Sequence, residues 1–113
     1  MMGKYKNSSN IAIILGFYNG REYLREQLDS IICQTYKKFQ IFIFDDYSFK
    51  KKIDSELKLY IEKHSNISII RRDSNIGYAK NFLYGLKDVG SNFDFYAFSD
   101  QDDIWENNKI EEA

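Results

Sequence analysis

With 113 residues the chain has room for one domain with a real core, and its hydrophobic share of 43% and charged share of 29% suit a folded globular protein rather than a disordered one. A formal net charge of −1 gives no electrostatic case for nucleic acid or an anionic membrane surface, and a single cysteine, Cys33, excludes an internal disulfide and agrees with a reducing compartment. No apolar run approaches the roughly 20 residues of a membrane-spanning helix. Polar Met1–Asn10 is unlike a signal peptide, so residues 1–9 are expected to form a flexible leader and residues 10–113 the domain.

The continuous apolar run Ile11-Ala12-Ile13-Ile14-Leu15 predicts a strand buried on both faces of a parallel sheet. It ends at Gly16, and Asn19 with Glu22 has the spacing of a helix N-cap and its reciprocal partner. Leu24, Leu28, Ile31 and Ile32 then recur at helical intervals opposite Arg21, Arg25, Glu26 and Asp29. That pattern predicts a helix to about Gln34, with Cys33 packed on its apolar side. Phe39–Phe44 reads as the second strand and ends in Asp45-Asp46. Ile53, Leu57 and Ile61 predict a second helix, with Lys50-Lys51-Lys52 as its solvated entry and His64 near its end. Ile67–Ile70 is a third strand. Asn75 is placed to cap a third helix carrying Tyr78, Phe82, Leu83 and Leu86, and Gly90 to terminate it. Phe93–Phe98 is a fourth strand, and a last helix is expected from about Trp105.

Four strand-helix alternations force parallel pairing through right-handed crossovers, which predicts an α/β fold: an open, mostly parallel sheet with helices on both faces. Ligands of such sheets sit at the carboxyl ends of the strands, where the strand order reverses. Tyr18-Asn19, Asp45-Asp46, Arg71-Arg72 and Asp100-Gln101-Asp102-Asp103 all fall at those ends. Clustered carboxylates repel one another and stay ionised most readily around a cation. Asp100 and Asp102, two residues apart, point to one side of an extended backbone, which suits one hard divalent ion shared with substrate phosphates. An Asp-x-Asp triplet alone is a weak signal; its position after a buried strand strengthens it. Asp45-Asp46 serves either as a strand end and helix cap or as an acceptor for a base or ribose, and a strand-end position contributes little to the core. Arg71-Arg72 is either a solvated pair or a phosphate partner. Gly16-Phe17-Tyr18-Asn19-Gly20 fits neither the dinucleotide nor the nucleoside-triphosphate glycine pattern.

Taken together and in this order, Ile11–Asn19, Glu22–Tyr36, Phe39–Ser48, Asn75–Leu86 and Phe95–Trp105 resemble the bacterial family 2 glycosyltransferases, most of all those that build rhamnose-containing and other surface polysaccharides. The resemblance implies a nucleotide-sugar-binding domain of GT-A type, Mn²⁺ or Mg²⁺ at the Asp-x-Asp, and inversion at the anomeric carbon. It implies Tyr18 beside the nucleobase, Asp46 with Asp45 on base or ribose, and Lys80 facing the donor. Asp100 would face the ribose or donor sugar and share the metal with Asp102, and Asp103 with Trp105 would shape the edge of the donor site. Two departures stand out: Gly16-Phe17 where many members have Pro-Thr or Ala-Thr, and Glu106-Asn107-Asn108 where a proline commonly follows the tryptophan.

Family catalytic domains continue past the Asp-x-Asp into an acceptor-binding half and a general base. The resemblance therefore implies an amino-terminal donor-binding part whose base lies beyond residue 113, which transfers no sugar alone and bares an edge open to self-association. The intact enzyme would take a nucleotide-diphospho-sugar donor and a saccharide or lipid-linked saccharide acceptor, without nucleic acid, in the cytoplasm or at the inner face of the membrane. Two other functions compete. A receiver-type phosphoacceptor domain is also a doubly wound sheet with clustered aspartates and Mg²⁺, but it carries its acid pair after the first strand and a lysine on a fifth. A non-catalytic association module with degenerate acids would show no metal-dependent nucleotide binding.

Overall fold

The computed structural model describes residues 9–19, 21–35, 37–48, 55–99 and 110, with the side chains of 21–23 and 56–57 outside that set. Four strands, β1 (Ile11–Phe17), β2 (Phe39–Asp45), β3 (Ile67–Arg71) and β4 (Phe95–Ser99), alternate with three helices, α1 (Arg21–Ile32), α2 (Ser55–Glu62) and α3 (Tyr78–Val89). The sheet order is β3-β2-β1-β4 and every pairing is parallel. The chain winds outward from β1 to β3 and then returns to place β4 on the other side of β1. The strand order therefore reverses between β1 and β4.

Because neighbouring residues of a strand face opposite ways, β1 contributes to two different packings. Ile11, Ile13, Leu15 and Phe17 join Ile41 and Ile43 of β2, Leu24, Leu28 and Ile31 of α1, and Ile61 of α2 in one buried cluster. Arg25 lies 4.3 Å over the Tyr60 ring, whose hydroxyl donates to Asp29, so α1 and α2 are joined at their rims. Buried Gln34 extends this layer: its Oε1 accepts from the Ile110 N–H at 3.0 Å. The opposite face carries Ile14 and Phe44, and α3 lies on it with Gly85 against the sheet. A Cβ on Gly85 would meet the Phe44 ring at 2.9 Å and Ile14 at 3.3 Å, so only glycine lets the helix sit this low. The expected open α/β sheet with helices on both faces is the fold observed. No helix among the described residues is long and apolar enough to cross a membrane.

Several boundaries differ from expectation, each for a local reason. The fourth strand starts at Phe95, not Phe93, because Asp94 brackets Asn10: its N–H donates to the Asn10 carbonyl at 2.9 Å and its Oδ2 accepts from the Asn10 N–H at 2.8 Å. The first helix ends at Ile32, which leaves Cys33 exposed beyond the buried stripe rather than packed against it. Asn75 does not cap the third helix. The cap position is Gly77, in a left-handed conformation (φ 89°) with no side-chain cap. Gly90 (φ 83°) ends that helix as expected, and His64 follows the end of α2 with its ring edge-on to Tyr60. Glu22 as a capping partner, Lys50–Lys52, Ile53, Leu57 and Trp105 lie outside the described residues or side chains.

Candidate donor site

At the carboxyl ends of β1 and β2 the backbone is knitted by short links. The Asp46 N–H donates to the Phe17 carbonyl (2.9 Å), the Asn19 N–H to Ser48 Oγ (2.8 Å), and the Ser48 N–H to Asp45 Oδ1 (2.9 Å). Asn19 (φ 51°) and Tyr47 (φ 63°) both adopt the left-handed conformation that makes these tight turns, and Tyr47 does so without the freedom of glycine. Asp45 is buried and its Oδ2 lies 3.7 Å from Arg71 Nε; Arg71 also donates to the Ser48 carbonyl and stacks on the Tyr47 ring.

Asp46 is 3% exposed and turned toward the start of α3. Its Oδ1 accepts from the Ile76 N–H (2.7 Å), and its Oδ2 from the Gly77 N–H (2.9 Å) and Asn75 Nδ2 (3.0 Å). The first turn of α3 has no acidic residue of its own, so Asp46, just after β2, supplies the anion that complements this helix end. Asn75 is thereby engaged with Asp46, which is why it does not cap the helix. Buried Asn81, one turn further on, donates from Nδ2 to the Phe44 carbonyl (2.9 Å) and accepts from Arg72 Nε (2.9 Å) at Oδ1. Arg72 also pairs with Asp88 (2.8 Å) and lies over the Phe44 ring, so it is not a freely solvated cation but a tie between α3 and the sheet.

These contacts enclose a cleft of about 360 Å³ lined by Gly16, Phe17, Tyr18, Asp46, Asn75, Gly77, Tyr78, Asn81 and Phe82. Its wall on the α3 side is aromatic: Tyr78 meets Phe82 edge-on (centroids 5.5 Å apart) and Phe82 meets Phe98 of β4 the same way (5.5 Å). A Cβ on Gly16 would come within 3.2 Å of Phe82, so glycine on β1 makes room for that ring. On the other side of the sheet, Gln27 of α1, fully buried, donates to Ser99 Oγ at 2.9 Å and fixes the last residue of β4.

Of the residues expected at the site, Tyr18 and Asp46 line the cleft, and Asp45 lies buried beside it. Lys80 is exposed on α3 and does not line the cleft. Asp100, Asp102 and Asp103 lie outside the described residues, and among the described residues no three His, Cys, Asp or Glu side chains group as a metal site. Gly16, Tyr78, Asn81 and Phe82 are cleft residues that the sequence reading does not assign to the site. The available signal is Asn81, a polar residue on the same helical stripe as Tyr78, Phe82 and Gly85.

This arrangement is a cleft at the carboxyl end of an open parallel α/β sheet, and similarity to known proteins narrows the class. A match to glycosyl transferase family 2 runs over residues 12–113. The dTDP-rhamnosyl transferase RfbG of Shigella flexneri is 41% identical over 98 residues, covering 85% of this chain and 34% of its own. The succinoglycan biosynthesis protein ExoW of Rhizobium meliloti is 31% identical over 99 residues, 86% of this chain and 30% of its own. Among solved structures, the mannosyltransferase PcManGT of Pyrobaculum calidifontis, in complex with GDP-Man and Mn²⁺, superposes with a TM-score of 0.77 at 20% identity over 93% of this chain and 30% of its own. Residues 1–349 of S. aureus TarS in complex with UDP give 0.75 at 23% identity over 89% of this chain and 30% of that one. The chain belongs to glycosyl transferase family 2, and its fold is that of the GT-A glycosyltransferases. It spans about a third of the length of these curated relatives.

Proposed function

We propose that the protein is the donor-binding part of a glycosyltransferase that passes a sugar from a nucleoside diphosphate to a saccharide or lipid-linked saccharide hydroxyl, with inversion at the anomeric carbon. The observation that carries this is the cleft at the carboxyl end of β1: it lies where the strand order reverses, and beside it β4 ends at Ser99, one residue ahead of Asp100-Gln101-Asp102-Asp103. The relatives support the choice of ligand, since RfbG is named for a dTDP-rhamnosyl donor and the two solved structures hold UDP and GDP-Man.

In this reading Tyr18 flanks the base, Asp46 and Asp45 shape the ribose end, and Lys80 adds positive charge near the donor. Asp103 borders the sugar. Asp102 with Asp100 would hold Mn²⁺ or Mg²⁺, and three carboxylates within four residues are an all-oxygen donor set of the kind hard cations take. A cation bound there offsets the charge that grows on the departing diphosphate. The residues of this chain hold and orient the donor so that its anomeric carbon faces an incoming hydroxyl, which lowers the barrier through positioning. The activating base belongs to no residue assigned so far. The enzyme would act in the cytoplasm, at or near the inner face of the membrane.

Calorimetric titration of a nucleoside diphosphate into the protein, with Mn²⁺ and then with chelator, tests this. Binding is expected to need the metal, and Asp102→Asn to weaken it more than tenfold, about 1.4 kcal/mol or more. Equal affinity for the variant and the parent would remove Asp102 from the metal site.

A further inference from the structure

Resting on the donor-site reading, we infer that Gln27 and Gln34 are positioning residues for the acidic segment after β4: two buried amides that hold the chain before and after Asp100-Gln101-Asp102-Asp103. Gln27 Nε2 donates to Ser99 Oγ at 2.9 Å, and Asp100 is the next residue. Gln34 Oε1 accepts from the Ile110 N–H at 3.0 Å, where residues 100–109 end. Gln27, Ser99, Gln34 and Ile110 are all buried. Ser99 is in register with Leu15, the residue before Gly16 of the cleft, so the first of these grips lies beside the donor site.

The two amides form one device. The Gln34 N–H donates to the Ile31 carbonyl at 3.1 Å, so the chain keeps turning past the end of α1. Ser30 Oγ donates to the Gln27 carbonyl (2.6 Å), and Gln34 Nε2 donates to the Ser30 carbonyl (3.2 Å), which ties the glutamines together through Ser30. This polar line runs beside Leu24, Leu28 and Ile31, the residues that α1 gives to the core. Packing alone gains nothing from it, because a buried amide must be desolvated and methionine would fill similar space without that cost. What an amide adds is direction: its hydrogen bond specifies one partner atom at one place. Carboxylates that share a cation need such support, since they must converge against their mutual repulsion, and the groups that orient metal ligands set much of the affinity.

The test titrates Mn²⁺ alone into the whole 113-residue protein and follows the free ion by electron paramagnetic resonance, with Asp102→Asn as the reference for a lost metal site. The decisive variant is the double substitution Gln27→Met with Ser99→Ala. It removes both partners of one buried hydrogen bond, so the melting temperature should stay near that of the parent. Its Mn²⁺ affinity should fall about tenfold or more. The second grip is read in the parent protein by linkage: Mg²⁺ should slow hydrogen exchange of the Ile110 amide, followed by nuclear magnetic resonance, and should not do so in Asp102→Asn. Mn²⁺ binding that Asp102→Asn abolishes but the double variant leaves intact overturns the inference and leaves the donor site standing. Ile110 exchange indifferent to Mg²⁺ overturns it too, as does a double variant that melts well below the parent, which would make the glutamines plain core structure. Absence of any Asp102-dependent Mn²⁺ binding by the parent protein overturns both readings.

Discussion

The two ends of the sheet carry cavities of opposite character. The larger, about 710 Å³, lies at the amino end, lined by Asn10, Lys37, Lys38, Gln40, Asn66 and Asn92 among others. The smaller, at the carboxyl end, is aromatic and braced. Size points to the first, and the direction of the helices points to the second. In a strand-helix-strand unit each helix starts at the carboxyl end of the sheet and finishes at the amino end, so positive helix ends gather around the small cleft and negative ones around the large cavity. The lysine at the amino end answers that charge: Lys37 donates to the Ile32 carbonyl at the end of α1 (2.9 Å), as Lys87 sits in the last turn of α3. An anionic ligand is favoured where helices begin, and a cavity between their ends collects the cations that finish them.

Three substitutions would break or sharpen this contrast. The largest effect is expected from Asp46→Ala, which leaves the Ile76 and Gly77 N–H groups without an acceptor in a site 3% exposed. Each orphaned donor costs about 1–3 kcal/mol. At about 4–8 °C per kcal/mol for a domain of this size, the melting temperature should fall by about 10 °C or more. A melt within a degree or two of the parent would show that α3 does not depend on β2 for its start. Gly85→Ala comes next: overpacking against Phe44 costs about 1–3 kcal/mol, and the better helix propensity of alanine returns about 1. Chemical denaturation should show a net loss near 1 kcal/mol, and nucleotide affinity should drop with it, because α3 carries a cleft wall. Lys37→Ala, at the opposite end, should cost only about 0.3–1 kcal/mol, less in high salt, and leave nucleotide affinity unchanged in calorimetry.

The fold is legible in the sequence where the pattern is unbroken. Ile11–Leu15 and Ile41–Phe44 are apolar without interruption because both of their faces are covered, and helix-period residues such as Leu24, Leu28 and Ile31 do enter one core. The site is legible only where residues are named by their place at strand ends, which finds Tyr18, Asp45 and Asp46. It is not legible in how those residues are used. Sequence spacing makes Asp46 a strand-end residue of small structural weight and Asn75 a cap, whereas their side chains meet across 29 positions and build the start of α3 together. Arg72 likewise reads as solvated charge or a phosphate partner, and its partners Asn81 and Asp88 become visible only once α3 is laid on the sheet. Phe82 reads as one more core ring because nothing local shows that Gly16, on a different element, opens the space in front of it. Long-range complementarity of this kind has no periodic signature.

The return of the chain to β1 also sets the order of assembly. Asn10 and Asp94 bond to each other across 84 positions, and β4 pairs with β1 along Ile11 to Leu15. As the chain emerges from the ribosome, β1 can pair on one side with β2 but must wait for nearly all of the described sequence before its other side closes. Pairings this distant in sequence fold slowly and leave an apolar strand edge unsatisfied meanwhile. Phe98, which braces the aromatic wall, arrives with β4. The aromatic wall is therefore completed only when β4 docks, and a nucleotide that fills the cleft would hold that strand in place.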